Sequence, residues 1–238
     1  NLDGGRLSLP GSLDARGETP RASFEPQLDN VEIGSILKAF NYSINLTGKL
    51  SLTGEFSGGK IDADEFRRSW QGQAQIQMTD TRTEGLNFQQ LVQQAVERST
   101  NVQAQENYDN ATRLDSVSTE FTLDNGQVTL KDMQGKSELM ALTGQGELNL
   151  LKEDCDMRFN VRVLGGWKGE SKLIDRLKQT AIPLRIYGNW QTLSYSLQVD
   201  QILRKQLQDE AKKRLSEWAE RNKNTQDGKD VKKLLDKL

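Results

Sequence analysis

Alternation of apolar and polar positions dominates this chain. Across residues 42–58 the apolar residues Tyr42, Ile44, Leu46, Leu50, Leu52 and Phe56 take every second position, with Gly48 and Gly54 filling the gaps. The positions between them are Ser43, Asn45, Thr47, Lys49, Ser51, Thr53 and Glu55. Period two is the mark of a strand with one buried and one solvated face. The run predicts a strand far longer than the usual five or six residues or so. Leu-Thr-Gly recurs at 46–48 and 52–54, so both glycines share the apolar face. Glycine there leaves a dent and lets a strand coil. Met140, Leu142, Gly144, Gly146, Leu148 and Leu150 repeat the pattern.

The remaining segments follow the same two periods. Strands are expected at 7–15, with Pro10 marking an edge or bulge, and at 22–28 after a turn at 17–20. Others are expected at 72–80, 117–123, 128–130, 155–163, 182–186 and 195–199. Asp124-Asn125-Gly126 is a hairpin signal. A change to helical period appears at 31–40, 62–70 and 171–179, and in the apolar face Phe88, Leu91, Val92, Ala95 and Val96 behind an Asn87 cap. Residues 99–110 are polar and aperiodic and are expected to be mobile. Asp200 is expected to cap a long helix, and 222–228 to break it from a short terminal one. The fold class is therefore α+β and mainly β: a long, strongly curved antiparallel sheet, a trough or incomplete barrel, with amphipathic helices. It divides into a β domain, 1–200, and a C-terminal helical segment, 201–238.

Composition narrows the chemistry. The chain has 34% hydrophobic and 28% charged residues, which suits sheets with one wet face. A net charge of −2 gives no field for nucleic acid. There is no His and a single Cys155, which removes the commonest general base and the usual zinc ligand sets. Cys155 sits in an alternating strand and is expected to be a buried thiol. No phosphate loop, dinucleotide fingerprint or nucleophile elbow appears. Asp62, Asp64 and Glu65 read as a helix N-terminal turn rather than an acid pair. The expectation is a protein without catalytic residues, metal or cofactor. The first residue is Asn rather than Met, so a fragment or processed form is expected. No apolar run is long enough to span a bilayer as a helix.

The repeated Leu-Thr-Gly strand over 44–58, the Gly85-Leu86-Asn87-Phe88 helix start and the long meander over 124–163 resemble the C-terminal domain of the AsmA family. The resemblance covers nearly the whole chain and rests on patterned, not catalytic, residues. It implies kinship with bridge-like lipid-transfer proteins: a periplasmic trough behind an inner-membrane anchor, involved in phospholipid traffic to the outer membrane and in outer-membrane assembly. The anchor is missing from these residues, so membrane attachment is expected only through an N-terminal segment not present here.

Two readings of the apolar face compete. In one it stays open and binds or conducts phospholipid acyl chains, with Ile44, Leu46, Leu50, Leu52, Phe56, Met140, Leu142, Leu148 and Leu150 as groove residues. Recesses beside the glycines would seat the chains, without strong preference for a headgroup. In the other, helices cover the face, and an edge strand or terminal helix binds another envelope protein. A membrane barrel fits poorly, because helices interrupt the strands and no aromatic girdles flank them.

Overall fold

The computed structural model describes residues 4–16, 21–42, 44–59 and 62–237, the side chain of Leu207 excepted. The turn expected at 17–20, Ser43 and Leu238 lie outside the described residues. The elements in chain order are β1 (Arg6–Ser8), β2 (Gly11–Asp14), β3 (Arg21–Phe24), β4 (Gln27–Glu32), α1 (Ile33–Ala39), β5 (Leu46–Gly58), α2 (Ala63–Arg68), β6 (Gln71–Glu84) and α3 (Phe88–Ser99). There follow β7 (Ala111–Asp124), β8 (Gln127–Lys136), β9 (Met140–Asn149), β10 (Asp154–Val163), α4 (Lys172–Leu177), β11 (Ile182–Asn189), β12 (Ser194–Leu197), α5 (Val199–Arg221) and α6 (Gln226–Leu235). Contacts divide the chain into two units, Asn1–Leu197 and Gln198–Leu238.

The first unit is one twelve-stranded antiparallel sheet, not closed into a barrel. From β4 to β12 each strand pairs with the next. At the other edge β3 and β4 share one side of β5, and β2 and β1 pair outside them. Two strands expected from the pattern are thus four, and the breaks fall at Pro10 and Pro26. Proline has no N–H for the ladder, but its carbonyl still accepts. Glu25 N donates to Pro10 O at 2.8 Å and Gly54 N to Pro26 O at 3.2 Å.

Three strands carry an extra residue. The register slips between Leu28 and Val31, between Thr79 and Arg82, and between Leu130 and Met133. Asn30, Asp80 and Asp132 sit at these slips with φ of 52°, 50° and 49°. Asn and Asp tolerate this left-handed region better than other side chains do. Each bulge lets residues an odd number apart, such as Leu28 and Val31, point to one face. Gly48, opposite the second slip, has φ 139°. The hairpin between β7 and β8 has Asn125 and Gly126 at φ 50° and 87°, the two-residue turn that the dipeptide announces.

The sheet rolls up. In a flat sheet β4 and β11 would lie about 34 Å apart, seven spacings of about 4.8 Å. Yet Tyr42, carried in by α1 after β4, meets Trp190 at the end of β11 with ring centroids 5.3 Å apart. Inside the roll, α3 packs against both β7 and β10, and so spans β8 and β9 between them. Asn87 caps it, accepting from Gln90 N at 3.0 Å, and Phe88 meets Phe159 of β10 at 5.2 Å. Val92, Ala95 and Val96 are buried as the period predicts, but so are Gln89 and Gln93. Gln93 reaches Gly165 O at 3.1 Å and accepts from the Tyr108 hydroxyl at 2.9 Å.

Several expectations need correction. The ladder of β5 begins at Leu46, because Tyr42 and Ile44 turn inward as cavity wall instead of pairing. Residues 99–110 are tied down rather than free: Ala104 bridges Trp167, Gln105 N donates to Gly166 O and Lys168 N to Gln103 O. Cys155 is only half-buried. Asp200 does not cap α5; Gln198 precedes it and Asp200 lies in its first turn. In the second unit α5 and α6 pack on each other. Gly228, expected in the break, lies inside the first turn of α6 behind the Thr225 cap.

Candidate functional site

α3 fills one half of the rolled sheet, and a cavity of about 640 Å³ occupies the other. Its floor is the apolar face of five consecutive strands: Leu50, Leu52 and Phe56 of β5, Ile76 of β6, Phe121 of β7, Val128 of β8 and Leu148 of β9, with Leu150 just beyond. Ile36 and Leu37 of α1 and Phe66 of α2 form the opposite side. Leu9, in the break between β1 and β2, lines it while 52% exposed, so this side communicates with solvent.

Aromatic contacts fix the two short helices. Phe66 stands 5.1 Å from Phe40, 5.9 Å from Phe56 and 5.9 Å from Trp70, and Trp70 stacks on Phe24 at 5.7 Å. α2 itself is started by Asp62, which accepts from Glu65 N at 2.8 Å. Helices this short are not stable alone; their aromatic side chains anchor them over the sheet.

Of the nine groove residues expected from the sequence, Ile44, Leu50, Leu52, Phe56, Leu148 and Leu150 line the cavity. Leu46, Met140 and Leu142 do not. Met140 and Leu142 are 3% and 4% exposed, on the strand that α3 spans. The glycine recesses are also absent. The Phe159 ring covers Gly144, the Met157 sulfur covers Gly146, and Ala74 crowds Gly54, each within 2.7 Å of where a Cβ would stand. Glycine here brings neighbours closer; the cavity comes from the helices standing off the sheet. Residues not among the expected groove residues contribute much of the wall: Phe24, Phe40, Phe66, Trp70, Phe121 and Trp190. More than half of the chain's aromatic residues line this one cavity, a concentration that no single strand or helix period displays.

Charge is sparse at the wall. Asp62 is the one Asp, Glu, Lys or Arg lining it among the described residues. Behind Tyr42 lies Arg67, its guanidinium carbon 4.7 Å from the ring centroid. Burial pushes the Tyr42 phenol above its ordinary range, the Arg67 charge opposes this, and Glu153 adds to it. Hydrogen bonding to Arg67 also lowers it, although among the described residues no hydrogen bond of ordinary geometry reaches the hydroxyl. The ion pairs of the sheet lie elsewhere. Arg185 grips Asp156 with two hydrogen bonds of 2.9 and 2.8 Å, and Asp109 joins Arg82 and Arg113. No cluster of three or more potential metal-ligating residues occurs among the described residues, nor any helix long and apolar enough to cross a membrane. The arrangement suits flexible apolar matter: the volume lies within the roughly 300–1,000 Å³ of small-molecule sites, with few polar groups.

Comparison with known proteins agrees with this architecture's sequence signature. The chain is 66% identical over its whole length to Protein AsmA of Escherichia coli strain K12, of which it spans 39%. No solved structure matches it. The AsmA family profile matches residues 1–133, more than half of the chain, and the chain belongs to the AsmA family.

Proposed function

We propose that this segment binds phospholipid acyl chains in the cavity between the sheet and helices α1 and α2. In this reading it acts in the periplasm, within an inner-membrane-anchored protein that passes lipid toward the outer membrane and supports its assembly. The observation that carries the reading is the cavity itself, about 640 Å³ with a nearly continuous wall of aliphatic and aromatic side chains. Each methylene buried there contributes about 0.8 kcal/mol, so part of one chain suffices for useful affinity. No catalytic residue or cofactor is part of the proposal.

The test is photo-crosslinking in cells from single positions. Probes at 52 and 148, on the cavity floor, should capture lipid. Probes at 142, on the strand spanned by α3, and at 51, on the outer face, should not. Failure at both 52 and 148 rejects the reading. A second reading has its own observation: the β1–β2 edge exposes Leu7, Leu9 and Leu13, and open apolar edges invite strand addition. An adaptor of this kind predicts protein adducts from positions 7 and 13 and no lipid from 52 or 148.

A further inference from the structure

Among the described residues, three buried polar atoms in one cluster lack a hydrogen bond of ordinary geometry: the Tyr42 hydroxyl, whose nearest polar neighbour is the Arg67 guanidinium, Arg67 Nε and Trp190 Nε1. Buried polar groups are paired in the great majority of cases, and a bare one is costly enough to call for a reason. Tyr42 and Trp190 both line the cavity and meet edge to face. Arg67 lies over the Tyr42 ring. Its Nη2 donates to Phe40 O, and its Nη1 stands 3.8 Å from Asp64, whose side chain is 80% exposed. Three separate segments deliver these groups: the chain after α1, helix α2, and the turn after β11. Trp190 N donates to Glu153 O at 3.0 Å, which ties that turn to the one before β10.

The chemistry of the cluster is one-sided. Indole and guanidinium N–H groups only donate, and a phenol donates as readily as it accepts. A group rich in acceptors and carrying negative charge satisfies all three, and such charge-assisted bonds are stronger than neutral ones. Asp62 on the cavity wall, Asp64 and Glu153 bring negative charge to the same region. They disfavour a doubly charged ligand.

We propose that Tyr42, Arg67 and Trp190 bind the monoanionic head of an amphiphile, a phosphodiester or a carboxylate, whose acyl chain occupies the cavity. The proposal rests on the acyl-chain reading above and adds selectivity for the head to it. Phosphodiester and carboxylate share the required acceptor geometry, and the test separates them.

The 238-residue chain is titrated calorimetrically with three probes sharing one twelve-carbon chain: methyl dodecyl phosphate, dodecanoate and dodecanol, each below its aggregation limit. At least one anion should bind about tenfold tighter than dodecanol, as a charge-assisted hydrogen bond implies. Preference for the phosphodiester assigns the site to a phospholipid, and preference for dodecanoate to a free fatty acid. Trp190→Phe, Tyr42→Phe and Arg67→Met should each reduce that preference for the anion over dodecanol, with circular dichroism confirming the fold. Equal affinity for all three probes in the unmodified chain overturns the head site and leaves the cavity reading standing. Binding of none overturns both. Because the unmodified chain alone decides this, a variant that fails to fold does not blunt the test.

Discussion

Asp156 shows how the solvated face of the sheet manages like charges. Register places Arg158 directly opposite Arg185, an arrangement that repels across strands. Arg185 turns instead to Asp156 and makes a two-point contact. Hydrogen bonding to Arg185 holds the Asp156 carboxyl below its ordinary range, against some desolvation. A depressed carboxylate pKa favours the folded state above the unfolded value of about 3.9, and that contribution is lost as pH falls through the folded pKa. Both side chains are more than 40% exposed, so the effect is small. Asp156→Asn should destabilise the chain by at most about 1 kcal/mol at pH 7, with the difference closing as pH falls below 4 or so. Urea titrations of both proteins across pH 2–7 measure this; a gap that persists at pH 2 refutes it. Cys155 beside it is a poor nucleophile, its thiol pushed up by burial and then by Asp154 and Asp156.

At the scale of single elements, the joints carry the most specific expectations. Asn87 does two things for α3: its Oδ1 accepts from Gln90 N, and its Nδ2 donates to Asp109 O at 2.8 Å. Asn87→Ala loses both and should cost about 1–2 kcal/mol. Asn87→Asp keeps the acceptor and should cost less; equal losses would show that capping is not what the residue contributes. Gly228 is a sharper case, since a Cβ there would stand 2.0 Å from Asn222 O. Gly228→Ala should therefore reduce helical circular dichroism by the share of α6 while the sheet signal persists. The periods of two and 3.6 made the six helices of the described residues and the long strands legible, and Asn125-Gly126 fixed one hairpin. The bulges were not legible, because Asn30, Asp80 and Asp132 look like ordinary polar positions of a strand. A trace of them is visible afterwards: Leu28 to Val31 and Leu130 to Met133 are odd steps between residues of one face. The tethering of 99–110 was hidden for another reason, since it is made partly by backbone groups that carry no sequence signal and partly by side-chain pairs distant in sequence, such as Lys168 with Glu106 and Tyr108 with Gln93.

At the scale of the whole molecule, sheet strands appear in sequence as a pattern, whereas the cavity appears only once the sheet has rolled. Leu50, Leu52, Phe56 and Leu148 line it because parity put them on the right face, and Ile44 and Leu150 join them from just outside the strands; parity could not say that α3 would span the strand of Met140 and Leu142. The same limit applies to the two units, whose stabilities should differ for reasons of burial. Strands β6 and β7 are paired on both sides, from Gln71 opposite Asp124 to Glu84 opposite Ala111, and the buried cluster of Phe56, Trp70, Ala74, Leu123 and Val128 lies on their apolar face. α6 offers little to compare: Leu234 is 64% exposed, and Gly228 is its buried residue. Leu215 and Trp218 of α5 are exposed as well. Amide protection follows the free energy of local opening, which is low where few apolar contacts are buried. Amides of β6 and β7 should exchange slowest, through global unfolding, and those of 231–235 through opening of α6 alone, at least a hundredfold faster, as an opening cheaper by about 3 kcal/mol implies. Hydrogen exchange with mass spectrometry across a urea series distinguishes the two, because only the first class should depend steeply on denaturant. Protection of 231–235 equal to that of β6, with the same urea dependence, would show that the chain opens as one cooperative body and that α6 is as firmly held as the sheet.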